Sequence, residues 1–379
     1  MSQITVKEVK TRRELRKFVD FPNRLYRGNP NYVPAFFGDD LADWNKKKNP
    51  AFAYCEAKCF LAYRDGEIVG RIGAILSHKA NKTWGTSRMR FSQVDFIDDL
   101  DVSRALFEAV EAWAREMGCT QIHGPLGFCD MDREGMLVEG YDRLGMFITY
   151  YNHPYYIQHL EALGYRKDTD WVEYRLQTPE PGTPIADLIT RMSDRLIRQG
   201  KYHYADLKHR SDYFPYVEKV FRLVNEAYAP LYGVVALNDE QIKKYAKKFV
   251  PLVNPDYACF ILDAEDNLVA FGVSAPSLSR AMQKCRGRLF PFGFIPVLRG
   301  LRKNDTLDLF LVAVKPELQG GSLIAMIFSH FLQSAHKNGI RFAETGPQLE
   351  TNQKIQAQWK FFDKEQHKRR RCFIKDLDT

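Results

Sequence analysis

The stretch Val312-Ala313-Val314-Lys315-Pro316-Glu317-Leu318-Gln319-Gly320-Gly321-Ser322-Leu323 holds the pattern with the clearest chemical use. An apolar run suited to a strand ends in a glycine-containing turn, and a helical pattern starts at once. Such a turn exposes successive backbone N–H groups at a helix N-terminus. Glycine lets the main chain approach a ligand without a Cβ in the way, and the helix dipole favours negative charge there. A phosphate or pyrophosphate is the natural guest. A tight strand–helix connection with no ligand accounts for the same residues equally well. No Gly-Lys-Ser/Thr follows the turn, so it is not a P-loop, and the three-glycine dinucleotide spacing is absent.

The elements that must position this turn follow one plan twice. The first half reads as a strand at 4–9, a helix at 12–26, and strands at 59–64 and 67–76 joined by Asp65-Gly66. A strand at 89–97 and a helix at 101–117 follow, with Asp101 as N-cap and Gly118 just past its end. A short strand at 121–122, a helix at 155–163 and a strand at 171–176 complete it. The second half reads as a strand at 202–207, helices at 213–228 and 239–249, and a hairpin of 259–262 with 268–274. Then come a strand at 306–314, a helix at 320–337, a strand at 341–345, a helix at 351–362 and a strand at 371–375. This order predicts an α+β fold with mixed, mostly antiparallel sheets flanked by helices. Thr178-Pro179-Glu180-Pro181-Gly182-Thr183-Pro184 reads as a linker, so domains are expected at 1–178 and 179–379. Within the second half, an Arg-, Phe- and Pro-rich insertion at 280–303 reads either as a lid for an anionic or acyl-chain substrate, or as an amphipathic surface helix or interdomain contact.

Composition narrows the classes. The 379 residues are 45% hydrophobic and 27% charged, which excludes a disordered, collagen-like or fibrous chain. Lysine and arginine exceed aspartate and glutamate by 8, an excess that suits an anionic ligand but is too scattered for nucleic acid. The basic run Lys368-Arg369-Arg370-Arg371 reads as a solvated edge. Apolar runs such as 309–314 fall far short of the ~20 residues that span a bilayer. Charges recur from Lys7 to Lys17 where a signal peptide would be apolar, so a cytoplasmic location is expected. Seven cysteines are dispersed, and Cys55 and Cys59 lack zinc spacing, so all are expected to be reduced thiols. His123, His153, His330 and His336 form neither a metal spacing nor a triad, and no metal is expected.

The segment from Val312 resembles the pyrophosphate loop of the GNAT acyltransferase superfamily. That family's Val-x-Pro-x-x-(Gln/Arg)-Gly-x-Gly-x-(Gly/Ala) motif links the fourth strand to the third helix and holds the pyrophosphate of acyl-coenzyme A. Val314, Pro316, Gln319 and Gly320 fit it, while Ser322 and Ile324 stand at the later glycine positions. The resemblance implies two tandem GNAT-like domains. It also implies a co-substrate loop of Val312, Val314, Gln319, Gly320, Gly321, Ser322 and Leu323, taking acetyl-coenzyme A or another acyl-coenzyme A. A second stretch, Glu344 to Asn352, leads into Gln356, Ala357 and Trp359. Asn352 resembles the asparagine that GNAT proteins place beside the thioester and pantetheine. The tyrosine that protonates the departing thiolate in many members is here Trp359, whose indole cannot serve as that acid.

The first half departs from this pattern. Its equivalent turn carries Asp98, Asp99 and Asp101 and no glycine, so it is not expected to bind coenzyme A in that way. Residues 124–125, 134–141 and 151–156 resemble the N-terminal half of tandem-GNAT bacterial proteins of undefined substrate, and either line an acceptor pocket or serve a structural half.

What the resemblance implies for chemistry is direct attack of an amine on the thioester, with a backbone N–H near 312–314 polarising the carbonyl. Glu344 is the first candidate for the base that deprotonates the amine, and Asp308 and Glu350 are weaker ones. Tyr228 and Tyr232 are candidates for substrate contact or core aromatics. The leading expectation is therefore an acyl-coenzyme A-dependent N-acyltransferase, foremost an acetyltransferase. Its acceptor would be a small-molecule or peptide amine, with no nucleic-acid or membrane partner. A non-catalytic GNAT-fold binding protein and a FemABX-like aminoacyl transferase are the alternatives.

Overall fold

The computed structural model describes residues 3–377. The chain forms two compact units whose segments interleave in sequence. The N-terminal unit takes the chain up to Trp171, Leu278–Val297, and the residues from Lys368; the C-terminal unit takes Val172–Ser277 and Leu298–His367. Among the described residues, these units differ from a division at 178/179 in the segments 172–178, 278–297 and 368–377.

In chain order the elements are β1 (Thr5–Glu8), α1 (Arg12–Leu25), α2 (Phe37–Asp43), β2 (Cys55–Arg64), β3 (Glu67–Ser77), α3 (His78–Trp84), β4 (Arg88–Phe96), α4 (Leu100–Glu116), β5 (Gln121–Gly124), β6 (Met136–Glu139), α5 (Tyr155–Ala162) and β7 (Arg166–Gln177). There follow α6 (Pro184–Arg198), β8 (Tyr202–Tyr204), α7 (Phe214–Tyr228), α8 (Asp239–Phe249), β9 (Ala258–Asp263), β10 (Leu268–Pro276), α9 (Ser279–Cys285), α10 (Phe294–Arg302), β11 (Thr306–Val314), α11 (Leu323–Asn338), β12 (Phe342–Thr345), β13 (Gln348–Leu349), α12 (Gln353–Gln356) and β14 (Lys364–Asp376).

Each unit builds its sheet by the same rule. In the N-terminal unit β1, β2, β3 and β4 pair antiparallel in turn, β4 pairs β5 in parallel, and β14 closes antiparallel on β5. In the C-terminal unit β8, β9, β10 and β11 pair antiparallel, β11 pairs β12 in parallel, and β7 closes antiparallel on β12. The closing strand of each unit thus comes from the other half of the sequence. Hydrogen-bond partners, not sequence distance, decide where a strand belongs.

A one-residue irregularity recurs at the same place. In the C-terminal unit the register steps from Val273↔Leu311 to Ser274↔Leu309, which leaves Phe310 as the extra residue of a bulge. In the N-terminal unit the register shifts between Arg71 and Gly73, opposite Gln93 at φ +43°. The bulge reverses the alternation of β11. Leu311 and Ala313 meet the α7 residues Val220 and Val224, whereas Val312 and Val314 pack towards Met326 and Ile327 of α11.

Close packing seats α11 on the sheet. A Cβ built on Gly272 of β10 would stand 2.5 Å from Ile327 Cγ2, so glycine there lets α11 lie against the sheet. Leu323, Met326 and Ile327 join Ile261 and Val269 in one buried cluster.

Several expectations need correction. The α4 N-cap is Asp99, not Asp101: its carboxylate accepts from the N–H groups of Asp101 (3.0 Å) and Val102 (3.4 Å). Pro184 does not end a linker; it is the first residue of α6, where its missing N–H leaves nothing unpaired. The helix expected at 351–362 is one α-turn (α12) followed by a 3-10 segment, Ala357–Phe361. The basic run 368–371 is not a solvated edge but lies in β14. Lys368 and Arg370 are each 1% exposed, and Arg371 Nε donates to Asp170 at 2.8 Å. Burial pushes the Asp170 pKa up, but the Arg371 and Arg369 hydrogen bonds outweigh it and hold the carboxyl below its ordinary range. The seven cysteines are free, six of them buried, and burial pushes the Cys55 thiol up to about 11.

Candidate active site

The loop after β11 is tied to β10 and folded by its own turn bonds. Lys315 N–H donates to Val269 O at 2.9 Å, and one 3-10 turn follows, closed by Leu318 N–H to Lys315 O at 2.9 Å. Gln319 Nε2 reaches back to Val314 O at 3.2 Å and clasps the turn. Gly320 has φ +82°, a conformation open to glycine at little cost, and no atom lies within 4 Å of where its Cβ would be. Helix α11 therefore starts at Leu323, three residues later than the sequence pattern predicts, with Ser322 as an N-cap whose hydroxyl caps nothing. The N–H groups of Gly320, Gly321 and Ser322 meet no acceptor among the described residues, and all three residues are exposed. Leu323 is buried, and Ile324 packs on the same apolar cluster, so neither side chain covers these donors. Gathered N–H groups at a helix N-terminus form an anion site.

The matching junction of the N-terminal unit is filled from within. Asp99 occupies the first-turn N–H groups of α4 and pairs with Arg64 at 2.6 Å, and that hydrogen bond is the main reason its pKa is lowered.

Below the bulge, polar groups collect on one sheet face. Asp308 of β11 and Glu344 of β12 are register partners, and Glu344 is in turn the partner of Arg175 on β7. Register partners share a face, so these three side chains project together, with Glu173 two residues from Arg175 joining them. Asp308 and Glu173 are both fully buried. His367 Nε2 lies 3.9 Å from Glu344 Oε2, with their side chains 2% and 15% exposed. The Arg175 guanidinium stacks on Phe342 at 4.2 Å. Buried carboxylates beside a histidine and a guanidinium are the arrangement expected of a proton-handling site. Sequence spacing carries no sign of His367, which is 23 residues from Glu344. Glu173 and Arg175 were not candidates either; alternation along the strand expected at 171–176 is the signal that puts them on one face.

The parallel pairing of β11 with β12 ends at Leu309↔Thr345, where Gly346 N–H still reaches Leu309 O at 3.2 Å. Beyond it, residues 310–314 continue without β12. Tyr228, the last residue of α7, donates its hydroxyl to Val312 O at 2.9 Å, and burial pushes its pKa up to about 12. Tyr232 lies in the loop after α7. Asn352 is the N-cap of α12, its side-chain oxygen accepting from Ile355 N–H at 3.4 Å. Trp359 is 3% exposed, donates to Gln348 Oε1 at 2.9 Å, and packs on Phe328 and Phe362. Glu350 sits in the turn before α12, its carbonyl accepting from Gln356. Thus Asp308 and Glu344 come together, Tyr228 reaches the open part of β11, and Glu350 and Asn352 occupy the neighbouring turn.

In the N-terminal unit, ligand atoms of His123, Asp168 and Cys372 lie within 4.8 Å of one another, a grouping that no sequence spacing reveals. Arg88 pairs with Asp168 at 3.5 Å, and positive charge there opposes a cation.

No protein-family model matches the chain. Protein YghO of Escherichia coli K12 is 26% identical over 370 residues, covering 96% of this chain and 93% of that protein. The bacterial ceramide synthase of Caulobacter vibrioides is 27% identical over 323 residues, covering 84% and 82%. Among solved structures, a tandem GNAT protein from the clavulanic acid biosynthesis pathway superposes with a TM-score of 0.57 at 13% identity, covering 100% of this chain and 99% of that one. A GCN5-related N-acetyltransferase from Sphaerobacter thermophilus gives 0.51 at 8% identity, covering 99% and 96%. The chain has the tandem GNAT fold, as the loop motif and the doubled element order predict.

Proposed function

We propose that the chain is an N-acyltransferase that moves an acyl group from acyl-coenzyme A to a primary amine. The observation that carries this reading is the exposed row of N–H groups at 320–322, lying at the end of the strand that bears Asp308. The diphosphate of the donor would rest on those amides, and its arm would run back along the part of β11 that β12 leaves uncovered. Val314 is six residue steps along from Asp308, about 20 Å of strand at ~3.3 Å per residue. In a strand the N–H and C=O of one residue point the same way. The Val312 carbonyl is met by Tyr228 from α7, so the Val312 N–H faces that side and would polarise the thioester carbonyl. The amine nitrogen bonds to the carbonyl carbon as the carbon–sulfur bond breaks. Glu344, supported by His367, would take the amine proton. Trp359 holds its place as a core residue, which leaves the Tyr228 hydroxyl, protonated at neutral pH, as the nearby donor for the leaving thiolate.

The relation to a ceramide synthase supports a lipid-like acceptor, because a ceramide is the amide of a long-chain amino alcohol. The test supplies acetyl- or palmitoyl-coenzyme A with sphinganine or spermidine, and follows thiol release and the mass of the amide. Thiol release that needs both reactants is expected, and Glu344→Gln should slow it by roughly 10²–10⁴-fold. Donor binding without amide from any pair would favour the non-catalytic alternative, which the buried Trp359 also suits.

A further inference from the structure

Ten large hydrophobic side chains are exposed among the described residues, and five of them fall within nine positions: Phe290, Phe292, Phe294, Ile295 and Leu298. Phe290 is 81% and Phe292 72% exposed, the two highest values of the ten. These side chains are held outward by an anchored frame. Gln283 Nε2 donates to the carbonyls of Pro30 (2.7 Å) and Tyr32 (3.0 Å), and Phe37 N–H donates to Gly287 O at 2.8 Å. Arg288 pairs with Asp20 and lies over the Phe37 ring at 3.9 Å. Phe294 N–H closes the loop on Leu289 O at 2.8 Å, and a Cβ at Gly293 would overlap Arg288 O. An anchored loop that keeps two phenylalanines in water needs a partner for them.

The charge around them identifies the partner. Residues 280–303 contain seven basic side chains and no acidic one. Arg280, Lys284, Arg286, Arg299, Arg302 and Lys303 have no acidic partner among the described residues; only Arg288 is paired. On α10, Phe294, Ile295 and Leu298 share one face, with Arg299 and Arg302 one turn further along. Exposed aromatics flanked by unpaired bases suit the interface of an anionic bilayer, where the rings enter the acyl boundary and the bases meet lipid phosphates. No helix among the described residues is long and apolar enough to cross a membrane; exposed rings beside bases fit contact at the interface.

We propose that residues 280–303 dock the protein on an anionic phospholipid surface, through Phe290 and Phe292 inserted among the lipids and the surrounding arginines and lysines. This departs from the sequence-based expectation of no membrane partner. It stands apart from the acyltransferase reading, since the test needs neither donor nor acceptor. The full chain is sedimented with phosphatidylcholine vesicles with and without phosphatidylglycerol, at low and high salt, beside a Phe290→Ser/Phe292→Ser variant. Both positions are exposed, and an unchanged Tm shows that the variant is folded. Binding should need phosphatidylglycerol, weaken in salt, and fall roughly 10- to 100-fold in the variant. Failure of the wild type to bind anionic vesicles at low salt would overturn the proposal, as would equal binding by the variant. A vesicle-inert chain that dimerises through these phenylalanines would overturn it too and assign the patch to a second copy.

Discussion

Gly320 offers the sharpest test of the loop. With φ +82°, any other residue is strained by roughly 1–2 kcal/mol, but nothing lies within 4 Å of its Cβ, so substitution meets no clash. Gly320→Ala therefore measures strain alone, and Gly320→Asp adds a negative charge beside the proposed diphosphate seat. Two charges about 5 Å apart repel by ~0.8 kcal/mol in bulk water and ~3.3 kcal/mol at an effective dielectric of about 20. The loop is exposed, so roughly 1–3 kcal/mol is expected, a ~5- to 150-fold weaker affinity for coenzyme A than the alanine variant has. Titration calorimetry with coenzyme A reads both variants, and raising the salt should narrow the gap between them. If folded Gly320→Asp binds within about twofold of Gly320→Ala while the wild type binds coenzyme A, the diphosphate does not sit on these amides.

Gly272→Ala should destabilise the protein by roughly 1–3 kcal/mol, because the new methyl meets Ile327 at 2.5 Å. Adding Ile327→Ala should cost less than the sum of the two changes; additive losses in Tm would refute the contact. His123 is buried, and burial first, with Arg90 and Arg88 behind it and Asp168 opposing, lowers its pKa to about 4. The folded state therefore binds fewer protons than the unfolded one between pH 6.5 and about 4, and stability is lost as pH falls through that window. His123→Gln removes this loss, so its Tm deficit relative to wild type should shrink from pH 7 to pH 5. A constant deficit would count against a buried neutral imidazole.

Local chemistry carried much of the architecture. The Asp65-Gly66 turn, the apolar face of α4, the Asn338-Gly339 helix stop and the strand–turn–helix order around Gly320 depend on neighbours in sequence. Periodicity and turn propensity report such neighbours directly. They also brought out the doubled plan and the two strands that carry Asp308 and Glu344, while the pairing of those strands came only with the fold. Periodicity failed where long-range pairing decides. Lys368 and Arg370 read as a solvated run, yet they are buried because β14 lies inside a sheet, and Asp170 holds Arg369 and Arg371 beside them.

The Phe310 bulge likewise depends on the strand opposite it. Without that one-residue step, simple alternation would place Asp308 on the wrong face of β11. Sequence alone determined that a glycine turn opens onto a helix and that Glu344 stands near the end of a core strand. The tertiary structure decided that His367 meets Glu344, that Tyr228 reaches Val312, and that Phe290 and Phe292 stand in solvent. The physical reason is the same in each case: these contacts join residues far apart along the chain, and only folding sets their distance.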